Sequence, residues 1–430
     1  MSVARRLTSL VEPLFDGAPP LRIRAWDDSE DGPANAPVLH ITSRRALRRL
    51  LWQPDELGLA QAYVTGELDA PGDAAGLSEG LRAVWASVEG GAGVPHRSTR
   101  QQLRSAWQAA LLGALGPRPR TPASQVTVTG RMHSLERDRS SIAHHYDLSN
   151  DFYGLILDPS MAYSCGYYAD DGHSLAQAQT AKLDLICQKL QLRPGMRLID
   201  VGCGWGSLVV HAAGAYGVRA LGVTISEQQH AFATQRVAEL GLADLVEVRM
   251  QDYRLLDEEP FDAAASIEMG EHVGQSNYQL YVDTLHSQLK PGARLLLQQM
   301  SRRADAAPGG GPFIESYIAP DMHMRPLGQT VQLLEGAGFE VRGVQAMRDH
   351  YVRTVADWLQ TFESHYDAAV AMVGEEVARV WRLYLVGGGL AFAQGRMGVD
   401  QILAATGSLA GRPRPAETAV SPPPPAGSPS

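Results

Sequence analysis

The run Asp200-Val-Gly-Cys-Gly-Trp-Gly206 is the first place where this chain offers residue types suited to chemistry. Glycine lets a chain turn sharply and lets a ligand approach the backbone. The spacing of Gly202, Gly204 and Gly206 is GxGxG, not the GxGxxG of dinucleotide sites. The run follows an apolar stretch and precedes a helical one, so it falls where open α/β sheets bind ligands. A nucleotide-type fold usually ends its second strand on an acid that holds a ribose. Here that stretch ends Gly222-Val-Thr224-Ile-Ser226-Glu-Gln-Gln229, leaving Thr224, Ser226, Glu227 and Gln229 as hydroxyl partners. Ser226 also reads as a helix N-cap, and the two roles are compatible. Gln251-Asp252-Tyr253 follows the third strand; its acid either accepts from an adenine amino group or is ordinary loop polarity.

These residues need elements to hold them. MRLIDVGC (196–203) predicts a buried strand, followed by a helix from Trp205 to about Tyr216. VRALGVTI (218–225) predicts the next strand, with a helix from Ser226 to about Leu240. LVEVRMQDY, FDAAASIEM and ARLLLQQM predict three more strands, the last two separated by a helix. This alternation over 140–405 predicts an α/β domain with a doubly wound, mostly parallel sheet. Residues 1–85 predict a smaller N-terminal domain. In it VLHITSRRALRRLLW is a strand leading into a basic helix, with Ala46, Leu47, Leu50 and Leu51 on one face and Arg44, Arg45, Arg48 and Arg49 largely elsewhere. Residues 86–139 form a connector with an apolar helix around Trp107 to Leu115. From residue 97 on, its arginines (97, 100, 104, 118, 120, 131, 137 and 139) are offset only by Glu136 and Asp138. This stretch is either a solvated linker or a contact for anionic lipid headgroups, where each basic residue adds about 1 kcal/mol. The Pro/Ser/Ala-rich stretch 406–430 predicts a disordered tail.

Composition narrows the function classes. The 430 residues are 44% hydrophobic, enough for more than one core, and the net charge of −9 argues against a nucleic-acid partner. The three cysteines, Cys165, Cys187 and Cys203, are too few for a disulfide framework and lack zinc-site spacing, so no metal is expected. No run of about eighteen apolar residues predicts a membrane span. The N-terminus lacks a secretory h-region, and a cytoplasmic location is expected.

Several further runs carry a resemblance. They are Ile142-Ala-His-His-Tyr-Asp-Leu-Ser-Asn-Asp-Phe-Tyr153, Asp158-Pro-Ser-Met-Ala-Tyr-Ser-Cys-Gly-Tyr167 and Ser266-Ile-Glu-Met-Gly-Glu-His-Val-Gly-Gln-Ser-Asn-Tyr278. Weaker echoes are Phe313-Ile-Glu-Ser-Tyr317, His350-Tyr351 and Trp358. With the glycine run they make residues 135–402 resemble the cyclopropane-fatty-acyl-phospholipid synthases, including the mycolic-acid cyclopropane synthases. The resemblance implies a class I methyltransferase sheet with helical insertions and S-adenosylmethionine as methyl donor. It implies methyl transfer to a cis alkene of a phospholipid acyl chain, with a bound bicarbonate as the base. It places Tyr163, Ser164, residues 199–207, residues 224–229, Gln251 and Asp252 at the cofactor, and Cys165, Glu271 and Tyr317 at the bicarbonate. For Cys165 the alternative is a small buried hydrophobe, and for Glu271 a helix-terminal carboxylate. His145 is read as catalytic, or with His144 as a capping or core histidine; Cys203 reads as packing.

Three departures from the family pattern lie toward the substrate. Gln298 stands in the fifth strand where the family often has a histidine, Ile318–Met324 replaces an aromatic and Gly-Gly turn, and Gly388 replaces a cysteine. Glu268 adds a carboxylate just before Glu271. These changes leave the product open between a cyclopropane and a methylene chain, the precursor of a 10-methyl branch made with a flavin or NADPH reductase partner. The expected setting is peripheral, on the inner face of the membrane, with a homodimer compatible. The rival readings are a methyltransferase for a soluble small molecule and a non-catalytic lipid-binding protein on the same fold.

Overall fold

The computed structural model describes residues 1–12, 15, 19–89, 109–126, 130, 134, 137–138 and 148–407. His144 and His145, most of the basic connector and the tail from 408 lie outside the described residues.

The catalytic part is built on seven strands: β5 (Arg197–Val201), β6 (Arg219–Thr224), β7 (Val246–Met250), β8 (Phe261–Ile267), β9 (Leu289–Arg302), β10 (Phe339–Ala346) and β11 (Met397–Thr406). Their order is β10-β11-β9-β8-β5-β6-β7. β7, β6, β5, β8 and β9 run parallel, and β11 runs antiparallel between β9 and β10. The five parallel strands are those expected from sequence, because each is an apolar run bounded by helical periodicity. β10 and β11 carry more polar residues at their edges and alternate less clearly, so periodicity does not announce them. Chain order turns back between β5 and β8, which makes their carboxyl ends the crevice of the sheet.

The helices Leu175–Leu190, Ser207–Tyr216 and Glu227–Glu239 belong to the winding. The first is fixed by a capping box in which Ser174 and Gln177 satisfy each other's backbone groups. The helices Arg348–Ser364 and Glu375–Ala393 pack beside the crevice and supply Tyr351, Trp358 and Trp381 to an aromatic cluster that also holds Phe152, Tyr153 and Trp205.

The N-terminal unit has a four-stranded sheet of β1 (Arg22–Arg24), β2 (Glu30–Asp31), β3 (Val38–Ile41) and β4 (Leu68–Asp69), in the order β2-β1-β3-β4. It shares one apolar core with the helices Pro312–Tyr317 and Glu375–Ala393. The basic helix forms as expected at Arg44–Trp52, but its faces differ from the simple pattern. Arg49 is 3% exposed because Glu67 takes its guanidinium in two hydrogen bonds of 2.9 and 3.0 Å, whereas Leu51 is 51% exposed. A paired guanidinium can be buried where a lone one cannot.

Candidate active site

The residues expected at the cofactor converge. Tyr163, Ser164, Asp200, Gly202, Gly204, Thr224, Gln229, Gln251 and Asp252 line one cleft at the carboxyl ends of β5, β6, β7 and β8. Gly202, Gly204 and Gly206 have φ of +81°, +54° and +80°, a region in which side-chain-bearing residues are strained. At Gly202 a Cβ would stand 2.7 Å from the Met269 side chain. At Gly204 it would meet nothing, because that side of the turn is open.

Asp200 is buried, and its Oδ1 has no hydrogen-bond partner among the described residues. Burial pushes its pKa up to about 7, against the pull of the Lys182 ammonium. Thr224 donates to Gln229 Oε1 at 2.9 Å, which fixes the orientation of that amide. Ser226 caps the following helix and Gly206 stands at the N-terminus of the one before, so both act behind the cleft wall. Asp252 lines the cleft, but both its carboxylate oxygens accept from Arg254, at 2.8 and 2.7 Å. Its expected role as an adenine acceptor is thus shared with a structural ion pair.

The catalytic candidates separate. Cys165 is buried, and burial pushes its thiol well up, so it stays protonated. Its contribution is the backbone N–H, which donates to Glu268 Oε1 at 2.8 Å. Gln298 Nε2 donates to the same oxygen at 2.8 Å. Tyr351 donates to Glu268 Oε2 at 2.7 Å. Of the groups placed at the bicarbonate by resemblance, Cys165 thus holds the carboxylate of Glu268 instead, as does Gln298 at the histidine position, and a separate bicarbonate does not fit on those donors. Glu271 is 2% exposed and has no partner for either carboxylate oxygen among the described residues. Burial, then the charge of Glu268, raises its pKa, while Arg325 opposes the shift.

Tyr317 is not part of this cluster. Its ring lies 5.5 Å from Phe313 in the core shared with the N-terminal unit, and it does not line the cleft. The helix Pro312–Tyr317 turns its aromatic face toward that unit, and the hydroxyl reaching the carboxylates comes from Tyr351. His145 lies outside the described residues.

Sequence reasoning missed three groups at the site. Lys182 is fully buried in the cleft and donates to Ser164 Oγ at 2.9 Å. Its signal was position: it falls on the buried stripe Ala178, Gln179, Lys182, Leu183 and Ile186. His272 lines the cleft, and burial holds its pKa down to about 4, so it is neutral there. Arg325, 1% exposed, stacks 3.8 Å from the Tyr278 ring centroid and is the cation facing Glu271.

Tyr163 and Trp205 bring aromatic rings to the cleft, backed by a wider aromatic cluster. Tyr163 lies 5.2 Å from Trp358 and 5.7 Å from Tyr153, and its hydroxyl donates to Tyr384 at 3.0 Å. Such a wall excludes water and presents π faces to a cation.

The sequence profile described as mycolic acid cyclopropane synthetase matches residues 133–402. The chain is 37% identical over 404 residues to the probable fatty acid methyltransferase Rv3720 of Mycobacterium tuberculosis (strain ATCC 25618 / H37Rv), spanning 90% of this chain and 91% of that one. It is 38% identical over 242 residues to the cyclopropane-fatty-acyl-phospholipid synthase of Escherichia coli (strain K12), spanning 56% and 61%. Among solved structures, the mycolic acid cyclopropane synthase CmaA1 complexed with SAH and CTAB superposes with a TM-score of 0.59 at 32% identity, covering 62% of this chain and 98% of that one.

Proposed function

Because the chain belongs to the mycolic acid cyclopropane synthetase family, S-adenosylmethionine-dependent enzymes of unsaturated fatty acyl chains, we propose that it methylates a cis double bond in a phospholipid acyl chain. The product is a cyclopropane or a methylene chain; the methylene product would pass to a reductase that supplies hydride. The residues present fit the methyl donor: the cleft has an open glycine turn at Gly204 and an orphaned buried oxygen on Asp200. When bound, S-adenosylmethionine supplies an electrophilic methyl group. Thr224 and Gln229 offer hydroxyl partners, Asp200 a carboxylate for a cationic ligand, and neutral His272 an apolar-tolerant wall.

One observation carries the choice of acceptor. Tyr163 and the half-buried Glu268 line the same cleft, so an aromatic ring and a carboxylate face the same space. An alkene is a weak nucleophile and its methylated form is a carbocation. Aromatic faces stabilise that charge, and dryness keeps it from being trapped by water. A soluble amine or hydroxyl acceptor forms no carbocation that water could trap.

A phospholipid at the membrane surface is supported by the N-terminal unit. Leu51, Trp52, Leu111 and Leu115 are all more than half exposed, and Arg48 and Trp52 tie their segments together through Gly113 O and Gly116 O. An apolar surface beside arginines suits an interfacial contact. Among the described residues no helix is long and apolar enough to cross a membrane.

The test is mass spectrometry of lipids from cells that express the protein and are fed methyl-labelled methionine. The expected result is acyl chains that gain one labelled carbon at a former double bond. Ring-opening or ozonolysis then separates cyclopropane from methylene. Label on a soluble product, with none in acyl chains, overturns the proposal.

A further inference from the structure

We propose that Glu268 is the base of this enzyme, built into the chain at the place where the family resemblance puts bicarbonate, so that turnover needs no bicarbonate. This rests on the reading of the site as an alkene methyltransferase, but its geometry stands independently.

Glu268 follows directly on β8 with φ of +50°, strained for a residue with a side chain. That backbone turn directs the carboxylate into a ring of donors: Cys165 N–H and Gln298 Nε2 on Oε1, and the Tyr351 hydroxyl on Oε2. Oε1 accepts two hydrogen bonds and Oε2 one, which leaves Oε2 the lone pair to take a proton.

The donors are held in register by the sheet. Ile267 on β8 pairs with Gln298 on β9, Gln298 with Gln401 on β11, and Gln401 with Gln345 on β10. Lys189 closes the row, donating to Gln401 Oε1 and Gln345 Oε1 at 2.6 Å each. An ammonium only donates. Gln401 must therefore turn its NH2 to Gln298 Oε1, at 2.8 Å, and Gln298 must turn its own NH2 to Glu268. The replacement of histidine by glutamine is explained: an amide donates to the carboxylate without competing for the proton.

The step balances on the acyl chain. After methylation the chain carries a carbocation. Glu268 Oε2 takes one proton from the transferred methyl group, and the C–H electron pair becomes the third ring bond. In the methylene branch a hydride shift comes first and the same pair becomes the C=C bond. The proton leaves with the carboxylic acid and returns to solvent at product release.

The full-length protein is compared with Glu268→Gln and Glu268→Gly; glycine suits the positive φ. In carbonate-free buffer the unsubstituted protein should keep its rate, while both variants fall by about 100-fold or more in kcat, the range of a general base. Millimolar bicarbonate or formate should restore the glycine variant by about 10-fold or more and leave the glutamine variant unchanged. In parallel, carbon-13 bicarbonate NMR should show saturable binding to the glycine variant and none to the unsubstituted protein. This second readout needs no acyl substrate, so it judges the site even if the acceptor is misassigned. Bicarbonate binding to the unsubstituted protein, dependence of its rate on bicarbonate, or full activity of Glu268→Gln overturns the proposal. Should the glycine variant not fold, the binding measurement on the unsubstituted protein and the glutamine variant still decide.

Discussion

Asp200 shows how one buried carboxylate couples cofactor binding to pH. Its folded pKa is raised from an ordinary 3.8 to about 7 because burial disfavours the charge. For an acid shifted this way, the folded state binds the extra proton. The associated stability is fully present below pH 3.8 and is lost as pH rises to about 7. Asp200→Asn should therefore melt at a higher temperature than the parent in the absence of ligand, by a gap that opens between pH 4 and 7 and is level above. Scanning calorimetry across that range checks it. A cationic ligand favours the ionised form, so affinity for S-adenosylmethionine should rise as pH passes 7, and the asparagine variant should bind more weakly and lose this dependence. Titration calorimetry at pH 6 and 8 reads both. Glu271 belongs to the same scale. Its two orphaned oxygens face Arg325 across the site, and its burial beside Glu268 keeps it protonated higher than an ordinary glutamate.

At the scale of elements, the turn after β5 and the ladder across β8 to β10 do different work. Gly204 and Gly206 both have positive φ, but their surroundings differ. A Cβ at Gly206 would stand 3.1 Å from Ala233 Cβ, inside packed structure. A Cβ at Gly204 would project into open space along the cleft. Gly206→Ala should lower stability by about 1–3 kcal/mol, from strain and overpacking together. Gly204→Ala should lose only the strain, about 1 kcal/mol, but weaken cofactor binding by at least about tenfold where the backbone must be approached. Melting and binding measured on both variants check the contrast. In the ladder, Gln401→Leu removes the group that fixes the orientation of Gln298. It should reduce kcat by about tenfold while KM moves less than twofold, since Gln298 donates to a reacting carboxylate and not to bound substrate. A KM effect of equal size would assign the ladder to binding instead.

At the scale of the molecule, the two units are locked by Arg379. Its guanidinium is 7% exposed, donates to Tyr63 O, Leu68 O and Asp69, and lies 4.1 Å from the Tyr63 ring centroid. Glu376, one turn away, accepts from the N–H and hydroxyl of Ser124. Arg379→Ala leaves buried carbonyls unpartnered and should destabilise the N-terminal unit by about 3–5 kcal/mol. Limited proteolysis should then cut within residues 1–125 first, and liposome flotation should show weaker recovery if that unit carries the lipid contact. Unchanged proteolysis would place the lock elsewhere in the shared core.

The sequence alone determined what local pattern can encode. Five apolar strands alternating with helices predicted a parallel sheet, and glycines at 202, 204 and 206 after the first strand pointed to a ligand-binding turn. Ser226 as an N-cap was legible for the same reason, since capping is settled within four residues. Tertiary structure decided everything that depends on which distant segments meet. Tyr317 and Tyr351 are both tyrosines near family motifs, but the helix bearing Tyr317 turns to the N-terminal core and the helix bearing Tyr351 turns to Glu268. Arg49 and Lys182 look like surface cations in a linear reading, and each is buried because its partner, Glu67 or the Ser164 region, arrives from elsewhere. The glycine turn of the cleft was thus readable in one dimension. The identity of its carboxylate, and the row of amides that holds it, needed strands more than a hundred residues apart to come into register.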